Sequence, residues 1–543
     1  MMISKKREDT MNIQKDLFLK KLLTSINRYI PLISSLLLII HTSYISLSAY
    51  ELMGRSFYAA RSQSLNAARD LVGFCQFLNR SHCGFEGMLV ATPEYQRSFR
   101  SPRIAEYFFN TDTIRITGSQ VPNRSTCDFM ADNFGLSPSF ESTIVMKPRI
   151  ESTFVNFEMY VSYNPWYIRV YAPACWSRWN YQLEECVQNN GDTTPFPAHY
   201  MAQSEVQEPV TSFKEALCGH HSWGDVQTGL VDNILCGPAS TKGLADLRMF
   251  FGWHILRNER YYVGLNLIAA APTGTRSTST LFFEPIIGNG KHWEIGAGLE
   301  GRVLAWEADG KHELSLYGIV HATHMCRSNQ RRSFDFCRNG FASRYLLLKQ
   351  FDETGNYNGN LVPASTVTTL PCRVWMAGQF DIVAMLGYSS CGLEIDFGYN
   401  AWIRTREHVT ICGTIEEKRY GIKGIQNVID AFGNYDNKTQ SSATIFGNEL
   451  TPEEQERTAD PNSPVFIRTD DLNPCSAAAT SAFTHKLFAH VGYTWSRCKH
   501  AHPYLGMGGE VEFEGLSPEI DRRANNNTVA QWSIWLKGGA IFM

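Results

Sequence analysis

Two things are scarce in this sequence. Charged residues make up only 19% of it, and past residue 50 no stretch has the length and apolarity of a membrane-spanning helix. With a mean hydropathy of −0.23, a helical membrane protein is excluded. Net charge is small too: 50 Lys and Arg against 53 Asp and Glu give −3, so nothing in bulk electrostatics points to nucleic acid. No Walker-type loop is present; Gly288-Asn289-Gly290 reads as a turn. Zinc spacing is missing as well. Cys218-Gly219-His220-His221 with Cys236 lacks paired CxxC and fits a disulfide better. His321 and His324 lie three apart at a strand end, so they point to opposite faces. Ser, His and Asp are plentiful but form no legible catalytic set. The expectation is a chain without catalytic residue, metal or cofactor, and not an enzyme.

What is abundant is aromatic residues, at 12%, and 41 glycines. The N-terminus carries Lys5, Lys6, Arg7, Lys15, Lys20, Lys21 and Arg28, then the apolar run Ile30–Ile40 and small residues at Ser46–Ala49. That order predicts a secretory signal over 1–48, with an uncleaved anchor across Tyr29–Tyr50 as the alternative. All 14 cysteines follow it, an even number suited to an oxidising compartment. Residues 49–83 include SLNAARDLVGFCQFLN, whose apolar positions are spaced like a helix. It is expected to be a periplasmic or lumen-plugging segment.

From Gly84 onward the period is two. Trp293, Ile295, Ala297, Leu299, Gly301 and Val303 alternate with His292, Glu294, Glu300 and Arg302. Val374, Met376, Phe380, Ile382, Ala384 and Leu386 oppose Arg373, Gln379 and Asp381. The same pattern recurs at Leu393–Tyr399, Leu487–Trp495 and Leu505–Phe513. The apolar faces chosen in this way hold no charge. A charge on a lipid-facing strand costs a few kcal/mol at mid-bilayer, whereas one in a wet lumen does not. Connections alternate between short, as at Asn164-Pro165 and Arg257–Arg260, and long. A soluble domain would not favour so many structureless links. The count is about 12 strands, or about 14 if Phe341–Gln350 and Leu361–Leu370 add a hairpin.

The final stretch sets Trp532, Ile534, Leu536, Ala540 and Phe542 on one face and ends one residue later. It resembles the C-terminal strand of Gram-negative outer-membrane β-barrel proteins of the porin-like kind, with Met543 as a departure. The fold expected is all-β: a closed antiparallel transmembrane β-barrel of 12–14 strands over 84–543. Its long outer loops fall at 101–148, 175–246, 326–372 and 407–481. The resemblance implies the outer membrane as location. It implies the lipid bilayer and, through the C-terminal strand, the barrel assembly machinery as partners, with a homo-oligomer as in many porins. The function it implies is a channel for small solutes through a water-filled or gated lumen. The alternatives are a structural or adhesive barrel that binds partners through its loops, and a barrel enzyme acting on lipid or peptide.

The expected lumen-lining residues are Glu294, Arg302, Arg373, Asp381, Glu394, Asp396, Arg404, Lys486, Glu510, Glu512, Glu514 and Lys537. They would either shape solute preference across a pore or rigidify a plugged interior through salt bridges. Cysteine positions suggest Cys391–Cys498 and Cys412–Cys475, at least one of them bridged. Cys218–Cys236 and Cys326–Cys337 are further candidates within loops.

Overall fold

A computed structural model describes residues 54–74, 84–125, 127–191, 210–219, 221–424, 443–446, 465–495, 501–515 and 527–542. The signal expected at 1–48 and Cys498 lie outside these residues.

Twelve strands make the wall. In chain order they are β1 (Phe85–Ser98), β2 (Glu141–Tyr163), β3 (Trp166–Asn189), β4 (Leu247–Arg257), β5 (Tyr261–Ala271) and β6 (Glu294–Ala308). There follow β7 (His312–Ser333), β8 (Thr369–Ser390), β9 (Leu393–Arg404), β10 (Ala482–Thr494), β11 (Ala501–Glu514) and β12 (Gln531–Phe542). Each pairs antiparallel with its chain neighbours, as in β2 with β3 from Glu141↔Asn189 to Tyr163↔Trp166. The ring closes where β12 meets β1, from Gly87↔Phe542 to Ser98↔Gln531. The result is a closed 12-stranded barrel without an edge, the condition for backbone amides to be satisfied in lipid. The hairpin expected near 341–370 forms as Leu347–Phe351 with Tyr357–Pro363. It pairs with Tyr420–Ile422 in a separate three-stranded sheet and is no part of the wall.

The alternation read in the sequence holds along most strands. Trp293, Ile295, Leu299 and Val303 are exposed, while His292, Glu294, Glu300 and Arg302 are buried. Exposed apolar residues girdle the barrel, Leu267 reaching 64% and Phe397 58%. Aromatics mark both margins of the belt on β3, at Trp166 and Trp176. Between them the strand climbs roughly 33 Å, which is about 25 Å along the axis at the usual tilt, the height of a lipid-facing band.

One face was read wrongly. Arg373 is exposed, Val374 is buried in the core of the loop region, and Met376 is buried as well. The pairing of β7 with β8 shifts between Thr323↔Gln379 and Ser328↔Val374. Such a bulge inverts every side chain beyond it, so the face that points outward at Ile382 points inward at Val374.

The short turns lie at one end of the barrel. At the other, α2 (Ser101–Phe109) and the long loops form a cap with an aromatic core. Phe108 and Phe109 pack there with Phe282, Phe129, Tyr181 and Trp179. Helix α2 begins at Ser101-Pro102, where the proline's fixed φ suits a first turn; α1 precedes it in the chain, at Ala67–Leu71. Cys218 and Cys236 are bridged in the cap, with Cα atoms 4.4 Å apart. Cys391, Cys412, Cys475, Cys326 and Cys337 are free. Cys412 and Cys475 therefore do not pair: the short strand Glu407–Ile411 before Cys412 is held against β8, while Cys475 sits in a 3-10 turn at Pro474–Ala477. Nor do Cys326 and Cys337: Cys326 lies on β7, whereas Cys337 follows the separate short strand Asp335–Phe336 beyond the end of β7.

Leu299 sits mid-belt on β6, exposed and paired with Leu265 and Val320. Leu299→Arg is expected to destabilise folding into bilayers by about 2–4 kcal/mol, and Thr153→Arg on β2 nearer the cap by about 0–1 kcal/mol. Denaturant titration of refolding into vesicles measures both. Equal costs at the two sites would contradict the lipid belt.

Candidate functional site: an occupied lumen

Residues 54–74 run through the barrel from the cap to the short-turn end. At the cap, the Ser56 amide donates to the Ser476 carbonyl at 2.9 Å and its hydroxyl to the Ser333 carbonyl at 2.6 Å. At the other end Phe74 lies among Met88, Val90, Tyr160, Tyr167, Tyr262 and Ile541. Along the way, side chains of the segment meet the inner faces of the strands one after another.

Arg61 is the first anchor. Its guanidinium lies 3.0 Å from Asp381 on β8 and 3.0 Å from Glu512 on β11, over the Trp402 ring. Next, the Ser62 hydroxyl donates to Asp246 at 2.7 Å, and Gln63 accepts from the Gly288 amide at 2.9 Å. Asn66 caps α1 by accepting from the Arg69 amide. The Asn66 amide group also donates to both oxygens of Glu510, at 3.0 and 3.1 Å, while Lys486 donates to its carbonyl oxygen at 3.2 Å. The helix has a single turn, so its own backbone cannot hold it; Ala67, Ala68, Leu71 and Val72 pack instead on Tyr317, Ile319, Val383, Met385, Phe488 and Trp535.

Arg69 is the second anchor, 3.1 Å from Glu94 on β1 and 3.2 Å from Asp70. Lys537 on β12 closes the far end of the helix. Its ammonium donates to the carbonyls of Arg69, Asp70 and Val72 at 3.1, 3.4 and 2.8 Å, where the helix leaves carbonyls unmatched. Below it the Gly73 amide donates to Asp396 at 3.2 Å; Asp396 holds His490 at 3.0 Å, and His490 holds the Tyr504 hydroxyl at 2.7 Å. Gly73 has φ +77°, and a Cβ there would lie 2.4 Å from the Tyr504 oxygen. Only glycine fits this joint.

Of the residues expected to line the lumen, Asp381, Asp396, Lys486, Glu510, Glu512 and Lys537 are buried and meet the segment or the partners just given. Arg404 is buried and donates to the Ala59 carbonyl at 3.2 Å. Glu294 pairs with Arg248 at 2.7 Å; Arg302 bonds Ser315 at 3.0 Å and lies 3.5 Å from Glu313. Glu394 is buried near the short turn of β8 and β9. Glu514 is at the rim, 3.3 Å from Arg103 of α2, and Arg373 is on the outer surface. Sequence reasoning did not find Arg61, Asn66, Arg69, Glu94 and the His490–Tyr504 pair. A signal existed for the arginines: Arg55, Arg61 and Arg69 face a single acid, Asp70, in a segment upstream of strands rich in inward carboxylates.

Beside Arg61, between Trp402, Glu512 and Trp179, about 30 Å³ is open, room for a water or two. No group of His, Cys, Asp and Glu that could hold a metal occurs among the described residues.

No protein-family model matches the sequence, and no curated protein does. Solved structures with a similar chain course are outer-membrane barrels. An outer membrane channel from Pseudomonas putida F1 has a TM-score of 0.31 and 10% identity, over 86% of this chain and 98% of that one. A Pseudomonas aeruginosa FadL homologue has 0.27 and 6%, over 91% and 98%. The translocator domain of the autotransporter NalP from Neisseria meningitidis has 0.23 and 7%, over 88% and 94%. At such scores the likeness says nothing about what this lumen handles.

Removing Arg69 strands Glu94 and Asp70 in a buried site. Arg69→Ala is expected to destabilise the protein by about 3–5 kcal/mol, and Arg69→Ala with Glu94→Gln by clearly less. Denaturant unfolding of wild type, Arg69→Ala, Glu94→Gln and the double variant measures the coupling. Additive losses would contradict the ion pair.

Proposed function

We propose that the protein is a gated outer-membrane channel for small solutes, held closed here by its own residues 54–74. The observation that carries this reading is how the segment is held. Arginines, an asparagine and backbone amides bind it to carboxylates of the wall. Apolar contacts add to these at Phe57, Tyr58 and Leu65, around α1 and at Phe74. A polar interface can exchange its partners for water, so its opening costs less than that of a dry core of equal size. The inner faces revealed by withdrawal would carry Asp381, Asp396, Glu510 and Glu512 on one side of the lumen, and a channel of that lining would favour cations. The C-terminal strand β12 suits insertion by the barrel assembly machinery of a Gram-negative-type envelope.

A second reading has its own support. The cap is not a set of loose loops but an aromatic-cored body with a disulfide, as a barrel that binds partners at the cell surface would need.

Conductance of the refolded full chain in planar bilayers separates the two. Wild type is expected to be closed with rare openings. Arg61→Gln with Arg69→Gln, and independently Gly73→Ala, are expected to raise the open fraction at least tenfold, the effect of about 1.4 kcal/mol. Variants that insert yet stay silent at every voltage would overturn the channel reading and leave the surface-binding one.

A further inference from the structure

The outer surface between β1 and β3 carries charge just above the apolar belt. Arg97 on β1 faces Glu151 on β2, and Glu151 faces Arg178 on β3. The short strand Ala239–Leu244 continues the row, with Ser240 opposite Arg178 and Lys242 opposite Trp176. Arg149 stands one step higher on the same face of β2. Four cations therefore share this stretch of surface with one carboxylate. Glu151 reaches Arg97 at 3.4 Å and Arg149 at 3.9 Å, whereas Arg178 and Lys242 are exposed and have no ion pair among the described residues. The nearby Lys147 and Glu184 neutralise each other at 2.5 Å.

The height of the row decides its meaning. Trp176, 46% exposed, lies at the upper margin of the belt, next to Lys242 and two residues below Arg178. Tyr95 and Trp532 mark the same margin on β1 and β12, their rings 5.6 Å apart. Tryptophan and tyrosine settle at headgroup level, so the guanidinium groups just above them stand among lipid phosphates rather than in free solvent. Arginine forks match phosphate oxygens two at a time, and a basic row at this depth gains from an anionic leaflet.

We propose that this row is a binding site for the phosphate of an anionic lipid headgroup, in the leaflet at the cap end of the barrel. Arg178 and Lys242 supply the primary contacts, Arg97 and Arg149 supply additional charge, and Glu151 limits the affinity. The proposal rests on the membrane-spanning reading of the barrel and is independent of whether the lumen opens.

The full chain reconstituted in phosphatidylcholine bilayers tests it, with brominated phosphatidic acid or brominated phosphatidylcholine as the quencher of tryptophan fluorescence. The ratio of the two quenching constants is expected to favour phosphatidic acid about fivefold or more. Arg178→Gln with Lys242→Gln is expected to bring the ratio to about one, and Glu151→Gln to raise it above wild type. The second variant keeps the test decisive should the first fail to fold. A wild-type ratio of one, or one unchanged by both variants, would overturn the site while the barrel reading stands. Displacement of the selected lipid by an equal concentration of inorganic phosphate would also overturn it, since the site would then belong to a soluble anion. If neither lipid quenches, the chain is not in the bilayer, and the membrane reading falls together with the site.

Discussion

A strand in hydrocarbon can leave no amide unmatched, and the architecture depends on that constraint. The twelve strands satisfy it by pairing in a ring, closed by β1 and β12. Closure then sorts the side chains. With a period of two, each strand must send alternate residues to lipid and to the interior, so every charge kept off the belt goes inward. Asp381, Glu394, Asp396, Glu510 and Glu512 crowd the wall of β8 to β11 for that reason.

Such a concentration of carboxylates in a narrow space needs either water or cations. Residues 54–74 supply cations and donors in its place. Arg61 and Asn66 meet three of these acids, the Gly73 amide a fourth, and Arg69 meets Glu94 across the lumen. The wall contributes in the other direction through Lys537, whose ammonium holds three carbonyls of the segment. Occupancy and wall charge are thus two halves of one arrangement: without the segment the wall repels itself, and without the wall a one-turn helix has nothing to fold on. The cap adds a dry aromatic core above this polar interface, where Phe108, Phe282 and Trp179 gather.

The period-two pattern made the wall legible, because lipid on one side leaves the sequence little freedom. Trp293 to Val303 show it residue by residue, and the alternation of short and long connections separated the two ends. The fold's exceptions were invisible for physical reasons. A bulge between β7 and β8 changes phase without changing composition, so Arg373, Val374 and Met376 landed on the wrong faces. Cysteine spacing carries no tertiary distance, and only Cys218–Cys236, close in sequence, was recovered as a bridge. For the lumen, inward charges were readable strand by strand, yet their partners were not. Nothing in Arg61 or Arg69 says which strand will face them, since the segment's height in the barrel is set by its contacts as a whole. Even the joint at Gly73 became meaningful only once Tyr504 was seen beside it.

The central claim is that residues 54–74 fold as part of the barrel interior, and amide hydrogen exchange of the full chain in bilayers tests it most directly. Protection of the amides from Ala67 to Gly73 on the scale of the neighbouring β8 and β11 amides is the predicted result. Exchange there at the rate of an unstructured peptide, with the strands still protected, would contradict the account.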